Sequence, residues 1–366
     1  MKPRVSVCIP NLNTLPFLPE RFESVFHQTF QDWELFVYDS YSDDGSWEFI
    51  QQMARRNKGV RIVQGPRQGP YPAWNECVRQ TTGEYVYIAT SDDSMSPDFL
   101  EKMVAALDRH PECELAHAPL VIVDDSGASV NSPSWPSCTN FAQGIADLHK
   151  VPHVRRAPYD GLLQLTARHT VLSITQLLIR RSIFSKTGNF SDRWGSVSDF
   201  NWEMKAGLLA NTVHVPDPWA TWRIHPKQLT SMLDLNSLDL FRKFEEMIDD
   251  AITTCQPQLP PQILSALRSG LLTRAKEIRN YYGVLRSLHN SVTSRRIFQL
   301  GQFYSGTNSL RGEILGKIIG RNNWPERLSA EIRLLLESLG IEPLSCRSCE
   351  ASRGPSLSQD CGPSLR

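Results

Sequence analysis

The chain has 366 residues, room for one large domain with its own core plus a smaller appendage. Its 39 basic and 39 acidic residues cancel to a formal net charge of zero, so no global field draws it to nucleic acid or to an anionic surface. It holds no apolar run long enough to cross a bilayer, and the N-terminus MKPRVSVCIP enters a strand without a signal-peptide core. The expected compartment is the cytoplasm, where the eight cysteines would be reduced thiols. Cys346 and Cys349 form a CxxC, but the tail around them offers no fourth zinc ligand, so it reads as an unstructured end.

In chain order, residues 5–9 read as a β-branched strand closed by Pro10, followed by a turn-rich stretch to residue 19. Residues 20–28 are helical, with Phe22, Val25 and Phe26 on one face. Residues 33–38 form an apolar strand that ends at Asp39 and the loop SYSDDGS, and a helix follows Ser46. A strand at 60–63, the loop GPRQGPYP and a helix at 73–80 come next. Residues 85–89 are continuously apolar, as a strand covered on both faces of a parallel sheet must be. Strands alternating with helices predict βαβ units. Further on, the pattern predicts a helix from 97, a strand at 114–123, a long Pro- and Ser-rich loop at 131–156, a strand at 174–179 and a helix at 202–209. Residues 238–339 are helical and amphipathic. The expected organisation is an α/β domain over 1–235, a helical extension over 236–343 and a disordered tail over 344–366.

Chemistry concentrates where the apolar run 85–89 meets Asp92 and Asp93. In open α/β sheets, ligands bind at the C-terminal ends of the strands. Two carboxylates there can hold a hard divalent cation, which in turn neutralises a diphosphate. The alternative is that Ser91, Asp92 and Ser94 cap the next helix. A second feature is the basic stretch 268–321, opposed only by Glu277 and Glu313. It reads either as solvated surface or as a docking face for an anionic membrane or a phosphate-bearing lipid-linked acceptor.

Three blocks carry a family resemblance. SVCIPNLNTLPFLPERFESVFHQTFQDWELFVYDSYSDDGS, GPYPAWNECVRQTTGEYVYIATSDDSMSP, and ITQLLIRRSIFSKTGNFSDRWGSVSDFNWEMKAG with VPDPWATWRIH occur in this order. They resemble family-two inverting nucleotide-sugar glycosyltransferases of the GT-A fold, over about residues 4 to 230. The resemblance implies an α/β fold with a mostly parallel sheet flanked by helices. It implies transfer of a sugar from a nucleoside-diphosphate sugar to an acceptor hydroxyl, with inversion and with Mn²⁺ or Mg²⁺, in surface polysaccharide or glycoconjugate synthesis. The acceptor would be a carbohydrate or a lipid-linked molecule, reached from the cytoplasm or the inner face of the membrane.

Residue by residue, the resemblance puts Pro10, Asn11 and Asn13 beside the nucleotide and gives the base to the Asp39 carboxylate. Alternatively, Asp39 starts a turn with Ser40 and Ser42. Asp92 would be the metal ligand and Asp93 its steadying neighbour. Thr90 stands where relatives carry an aspartate that meets the ribose, a hydroxyl in place of a carboxylate. Ala73 and Asn75 match the small helix beside the donor, or serve ordinary helix packing. Asp199 matches the general base that takes the proton from the acceptor hydroxyl. Its alternative role is helix capping with Ser198, and Glu203, one turn on, is the reserve candidate. His225 would be a further metal ligand, or structural, and Arg223 would meet phosphate or solvent. The substitution at Thr90 also keeps open a catalytically silent sugar-nucleotide binding module. A sugar-phosphate nucleotidylyltransferase would need a glycine-rich basic loop after the first strand, where this chain has PNLNTLPF.

Overall fold

The computed structural model describes residues 2–130, 150–166, 169–228, 238–273, 275–276 and 324–346. The first half is a run of βαβ units: β1 (Val5–Asn11), α1 (Leu18–Phe26), β2 (Trp33–Asp39), α2 (Ser46–Arg56), β3 (Val60–Gln64), α3 (Pro70–Gln80) and β4 (Tyr85–Ile88). β1 pairs in parallel with β2 and β2 with β3, and the chain then crosses back so that β4 pairs with the other side of β1. The strand order 4-1-2-3 therefore reverses between β1 and β4. At such a switch point the connections leave on opposite faces and open a crevice at the C-terminal strand ends.

Period-two alternation builds the layers. Val5, Val7 and Ile9 of β1 face one core with Leu35, Val37, Tyr85 and Tyr87, packed under α1 and α2. Cys8 faces the other core with Phe36, Val86, Ile88 and the α3 residues Tyr71, Trp74 and Cys77. All seven residues of β1 are buried, which is why its sequence is apolar on both parities. Each fully buried aliphatic or aromatic side chain contributes roughly 1.5–3 kcal/mol.

The second half adds α4 (Phe99–Arg109), β5 (Leu115–His117), β6 (Leu120–Val123), β7 (His153–Arg155), α5 (Tyr159–Leu165), β8 (Leu177–Arg180), α6 (Phe184–Thr187), α7 (Ser198–Leu209), β9 (Thr212–His214) and β10 (Ala220–Arg223). β8 runs antiparallel between β4 and β5, and β9 and β7 extend the same sheet. The parallel α/β fold read from the sequence is the fold observed, with antiparallel strands joining in this half. The single strand predicted over 114–123 is in fact two. The chain breaks at Pro119, and β6 leaves the main sheet to pair with β10.

The helical region contributes α8 (Leu238–Cys255), α9 (Pro261–Ala266) and α10 (Trp324–Ser338). These do not form a separate body. Met247, Ile248, Ile263, Ile332 and Leu336 share one core with Leu162 and Leu163 of α5 and with Met204 and Leu208 of α7. Residues 344–346, expected in the disordered tail, instead form β11 (Leu344–Cys346), an edge strand antiparallel to β7. The basic stretch beyond residue 276 and most of the predicted 131–156 loop lie outside the described residues. Among the described residues no helix is long and apolar enough to cross a membrane.

Candidate functional site

Three hydrogen-bonded networks meet the C-terminal edge of the parallel strands. The first joins β1 to β2, whose last residues Asn11 and Asp39 are register partners. Asp39 is fully buried. Its Oδ1 accepts from Asn11 Nδ2 at 2.7 Å and Ser42 Oγ at 2.6 Å, and its Oδ2 from the Ser42 amide at 3.0 Å and Gln64 Nε2 at 3.0 Å. A carboxylate has about four acceptor positions, and the protein fills all of them. The turn with Ser42 is thus the role that the contacts of Asp39 display. Asn13 is similarly committed: its side chain exchanges two hydrogen bonds with Asp43, at 2.8 and 2.9 Å, and its backbone is left-handed at φ 55°. Pro10 sits inside β1 opposite Tyr38. Together these bonds brace the loops after β1 and β2 into one wall.

The second network holds the loop after β4. Helix α4 begins only at Phe99, with Asp98 at its N-cap position, so Asp92 is no cap. Asp92 Oδ2 lies 3.2 Å from His225 Nε2 instead, and the His225 ring packs on Phe17 at 4.6 Å. Asp93 is buried, accepts the Arg223 amide at 2.7 Å and takes a short hydrogen bond from the Thr90 hydroxyl. Burial first, and then the Asp92 charge beside it, push its carboxyl up to about 8, while the Arg21 guanidinium pulls the other way.

Arg223 is not the phosphate contact the sequence reading offers. Only 1% exposed, it spends its guanidinium on the Asp92 carbonyl at 2.7 Å, the Asp124 carbonyl at 3.0 Å and the Glu20 carboxylate. It is the lock that sets the Asp92 loop. Arg21, missed by sequence reasoning, backs the same loop: its Nε donates to the Thr90 carbonyl at 2.8 Å. The available signal was a charged residue on the core-facing side of α1, among Leu18, Phe22 and Val25.

Asp92 and His225 suit a divalent cation. A separation of 3.2 Å between an anionic oxygen and an imidazole nitrogen matches two adjacent ligands of one ion with bonds near about 2.1 Å. Among the described residues no third His, Cys, Asp or Glu completes a cluster.

The third network carries Asp199, in the first turn of α7. Its Oδ1 accepts from the Tyr71 hydroxyl and the Phe200 amide, each at 3.1 Å. Tyr71 stands in the first turn of α3, just past the end of β3, so this bond ties Asp199 to the same sheet edge. Burial pushes the carboxyl up to about 6, against the two hydrogen bonds that favour its charge. Neither residue holds the N-cap position of α7: Val197 does, without a side-chain cap bond, and the Ser198 hydroxyl accepts the Trp194 amide at 3.0 Å. Asn75 is a packing clamp, exchanging bonds of 2.8 and 3.0 Å with the Phe190 backbone. Ala73 is buried in the α3 core.

Residues 6–159 match the glycosyl transferase family 2 model. EpsE of Bacillus subtilis (strain 168), provisionally named a glycosyltransferase, is 29% identical over 164 residues, 44% of this chain and 59% of EpsE. The chain thus spans less than two thirds of that relative. A PGL/p-HBAD biosynthesis glycosyltransferase of Mycobacterium bovis (strain BCG / Pasteur 1173P2) is 24% identical over 221 residues, 58% of this chain and 75% of its own length. Among solved structures, S. aureus TarS 1–349 in complex with UDP-GlcNAc superposes with a TM-score of 0.58 at 17% identity, covering 93% of both chains. The mannosyltransferase PcManGT of Pyrobaculum calidifontis, in complex with GDP-Man and Mn²⁺, gives 0.52 at 16% identity over 92% of this chain and 88% of its own. At these identities the structures speak for the fold. Sequence match and fold agree: residues 6–159 are similar to glycosyl transferase family 2, and the chain has a GT-A-type fold.

Proposed function

We propose that the chain transfers a sugar from a nucleoside-diphosphate donor to the hydroxyl of a carbohydrate or lipid-linked acceptor, with inversion, in polysaccharide or glycoconjugate synthesis. The observation that carries this reading is the Asp92–His225 pair, 3.2 Å apart, with Asp92 on the loop that follows β4 at the switch point and His225 just past β10. The match of residues 6–159 to glycosyl transferase family 2 and the donors named for TarS and PcManGT support it.

In this reading the braced wall of Asn11, Asn13 and Asp39 shapes the nucleotide side of the crevice, with Asp39 acting through the groups it orders. Asp92 and His225 would hold a divalent cation, with Arg223 and Asp93 fixing the loop beneath them. When bound, the cation supplies positive charge to the leaving diphosphate. Asp199 takes the proton of the acceptor hydroxyl as that oxygen attacks the anomeric carbon from the face opposite the diphosphate. A base serves best when its pKa approaches the working pH, and a carboxyl lifted to about 6 is nearer that condition than an exposed one. Thr90 replaces a carboxylate by a hydroxyl that is already bonded to Asp93.

The test is a thermal-shift titration with UDP and with GDP, each with and without Mn²⁺. Specific binding raises Tm, by the equivalent of about 2.7 kcal/mol at a hundred times Kd. Asp92→Asn should remove the Mn²⁺-dependent part of that rise while leaving the unliganded Tm nearly unchanged. No shift with either nucleotide overturns the donor reading. Binding without any donor hydrolysis in Mn²⁺ makes the chain a sugar-nucleotide binding module instead.

A further inference from the structure

Both donors that reach the Asp199 carboxylate land on Oδ1. Oδ2 meets no hydrogen-bond donor among the described residues, and the residue is partly open to solvent. The side-chain donor is Tyr71, itself 2% exposed, its ring set edge-on against Trp74 at 5.0 Å. A phenol so enclosed, facing an anion, keeps its proton: burial and the Asp199 charge hold its pKa well above the ordinary tyrosine value. The bond therefore runs one way, from hydroxyl to carboxylate.

We infer that Tyr71 is the positioning residue of the base: it pins Oδ1 and so presents Oδ2 to the acceptor hydroxyl. This rests on the reading of Asp199 as the base. Tyr71 belongs to α3 and Asp199 to α7, so the bond spans two elements that the chain brings together from 128 positions apart. Two further ties keep those elements in register. Asn75 clasps the Phe190 backbone, and the Phe190 ring sits between Trp74, edge-on at 5.1 Å, and Trp202 of α7 at 4.8 Å. The hydroxyl of Tyr71 is thus held where it is by packing, which a freely rotating donor could not match.

The surrounding charges leave this role to Tyr71. Glu203, one turn along α7, is buried with Oε2 accepting from Gln164 Nε2 of α5 at 2.9 Å, and Oε1 meets no hydrogen-bond donor among the described residues. It borders a cavity of about 10 Å³ with Asp160 and Thr212, room for one water. Burial and the nearby Asp199 raise Glu203 well above the usual carboxylate range. Asp160 is paired with Arg155 at 2.7 Å, and Lys205 with Asp250 of α8 at 2.7 Å. The His169 ring packs on Phe200 at 4.7 Å, beside Asp199 rather than on its carboxylate.

A hydrogen bond to a carboxylate favours its charged form, so removing the donor must raise the pH at which Asp199 loses its proton. The experiment is a carbon-13 NMR titration of the intact chain labelled at aspartate carboxyls, with the Asp199 signal identified by its loss in Asp199→Asn. Tyr71→Phe keeps the ring and its packing on Trp74. It should move the Asp199 titration upward by about one pH unit. Glu203→Gln, which keeps the size of the side chain, should leave that titration where it is, because Glu203 makes no bond to the Asp199 carboxylate. The positioning role falls if Tyr71→Phe titrates as the wild type does, or if Glu203→Gln moves the signal as far. The base reading fails separately, through sugar transfer or donor hydrolysis that survives in Asp199→Asn.

Discussion

Arg223 and Asp199 show how much a single side chain decides in this site. Arg223 is buried, with its guanidinium shared among the Asp92 and Asp124 carbonyls and Glu20, while its amide holds Asp93. Arg223→Met keeps much of the volume but strands those oxygens. Thermal denaturation should report a loss of roughly 3 kcal/mol, the scale for breaking a buried charged contact. Mn²⁺-dependent nucleotide binding should go with it, because the Asp92 loop loses its tether; retained binding at wild-type affinity would make Arg223 purely structural. Asp199→Asn is the complementary case. It preserves size and cannot accept the proton, so kcat should drop roughly 10²- to 10⁴-fold with donor affinity little changed. Steady-state kinetics with a responsive donor and acceptor would decide, and surviving turnover would move the base to Glu203.

At the scale of elements, α7 places its functional residue only because it packs closely on α5. Gly161 and Gly207 face each other across that contact, and a Cβ on Gly207 would come within 2.6 Å of the Gly161 nitrogen. Helix propensity alone predicts that Gly207→Ala stabilises α7 by up to about 1 kcal/mol. The contact predicts the reverse, a loss of about 1–3 kcal/mol, because backbone has no room to yield. A urea denaturation midpoint below wild type would bear out the close contact, and a higher one would refute it. Asn75→Ala tests the neighbouring tie between α3 and the Phe190 segment. Loss of two partly buried bonds should cost about 1–3 kcal/mol in the same measurement.

For the molecule as a whole, the buried acidic site ties stability to pH. The Asp93 carboxyl has a folded-state pKa near 8, above its unfolded value of about 3.9, so the folded chain binds the extra proton. That contribution is complete below the unfolded pKa and is lost as pH rises through the folded one. In metal-free buffer Tm should therefore fall between about pH 5 and pH 8 and level off above, with a slope of at most about 1.4 kcal/mol per pH unit for one proton. Asp93→Asn should flatten this limb. An equally steep limb in the variant would assign the dependence to another group.

The sequence by itself determined the parallel βαβ half and the edge on which the site lies. A strand buried on both faces must be apolar at every position, and a strand end marked by Pro10, Asp39 or Asp92 is a local signal. It also brought forward the residues of the site, since Asn11, Asp39, Asp92, Asp199 and His225 all reach that edge or bond to it. Their division of labour was settled only by tertiary structure. Whether Arg223 meets a ligand or a carbonyl depends on what lies opposite it, and its partners Asp92 and Glu20 are 131 and 203 positions away. Tyr71 looked like one aromatic among many until α7 brought Asp199 to its hydroxyl. Hydrophobic period is a property of neighbours in sequence, whereas the satisfaction of a buried charge is a property of neighbours in space. The first can be read along a chain; the second exists only once the chain has folded.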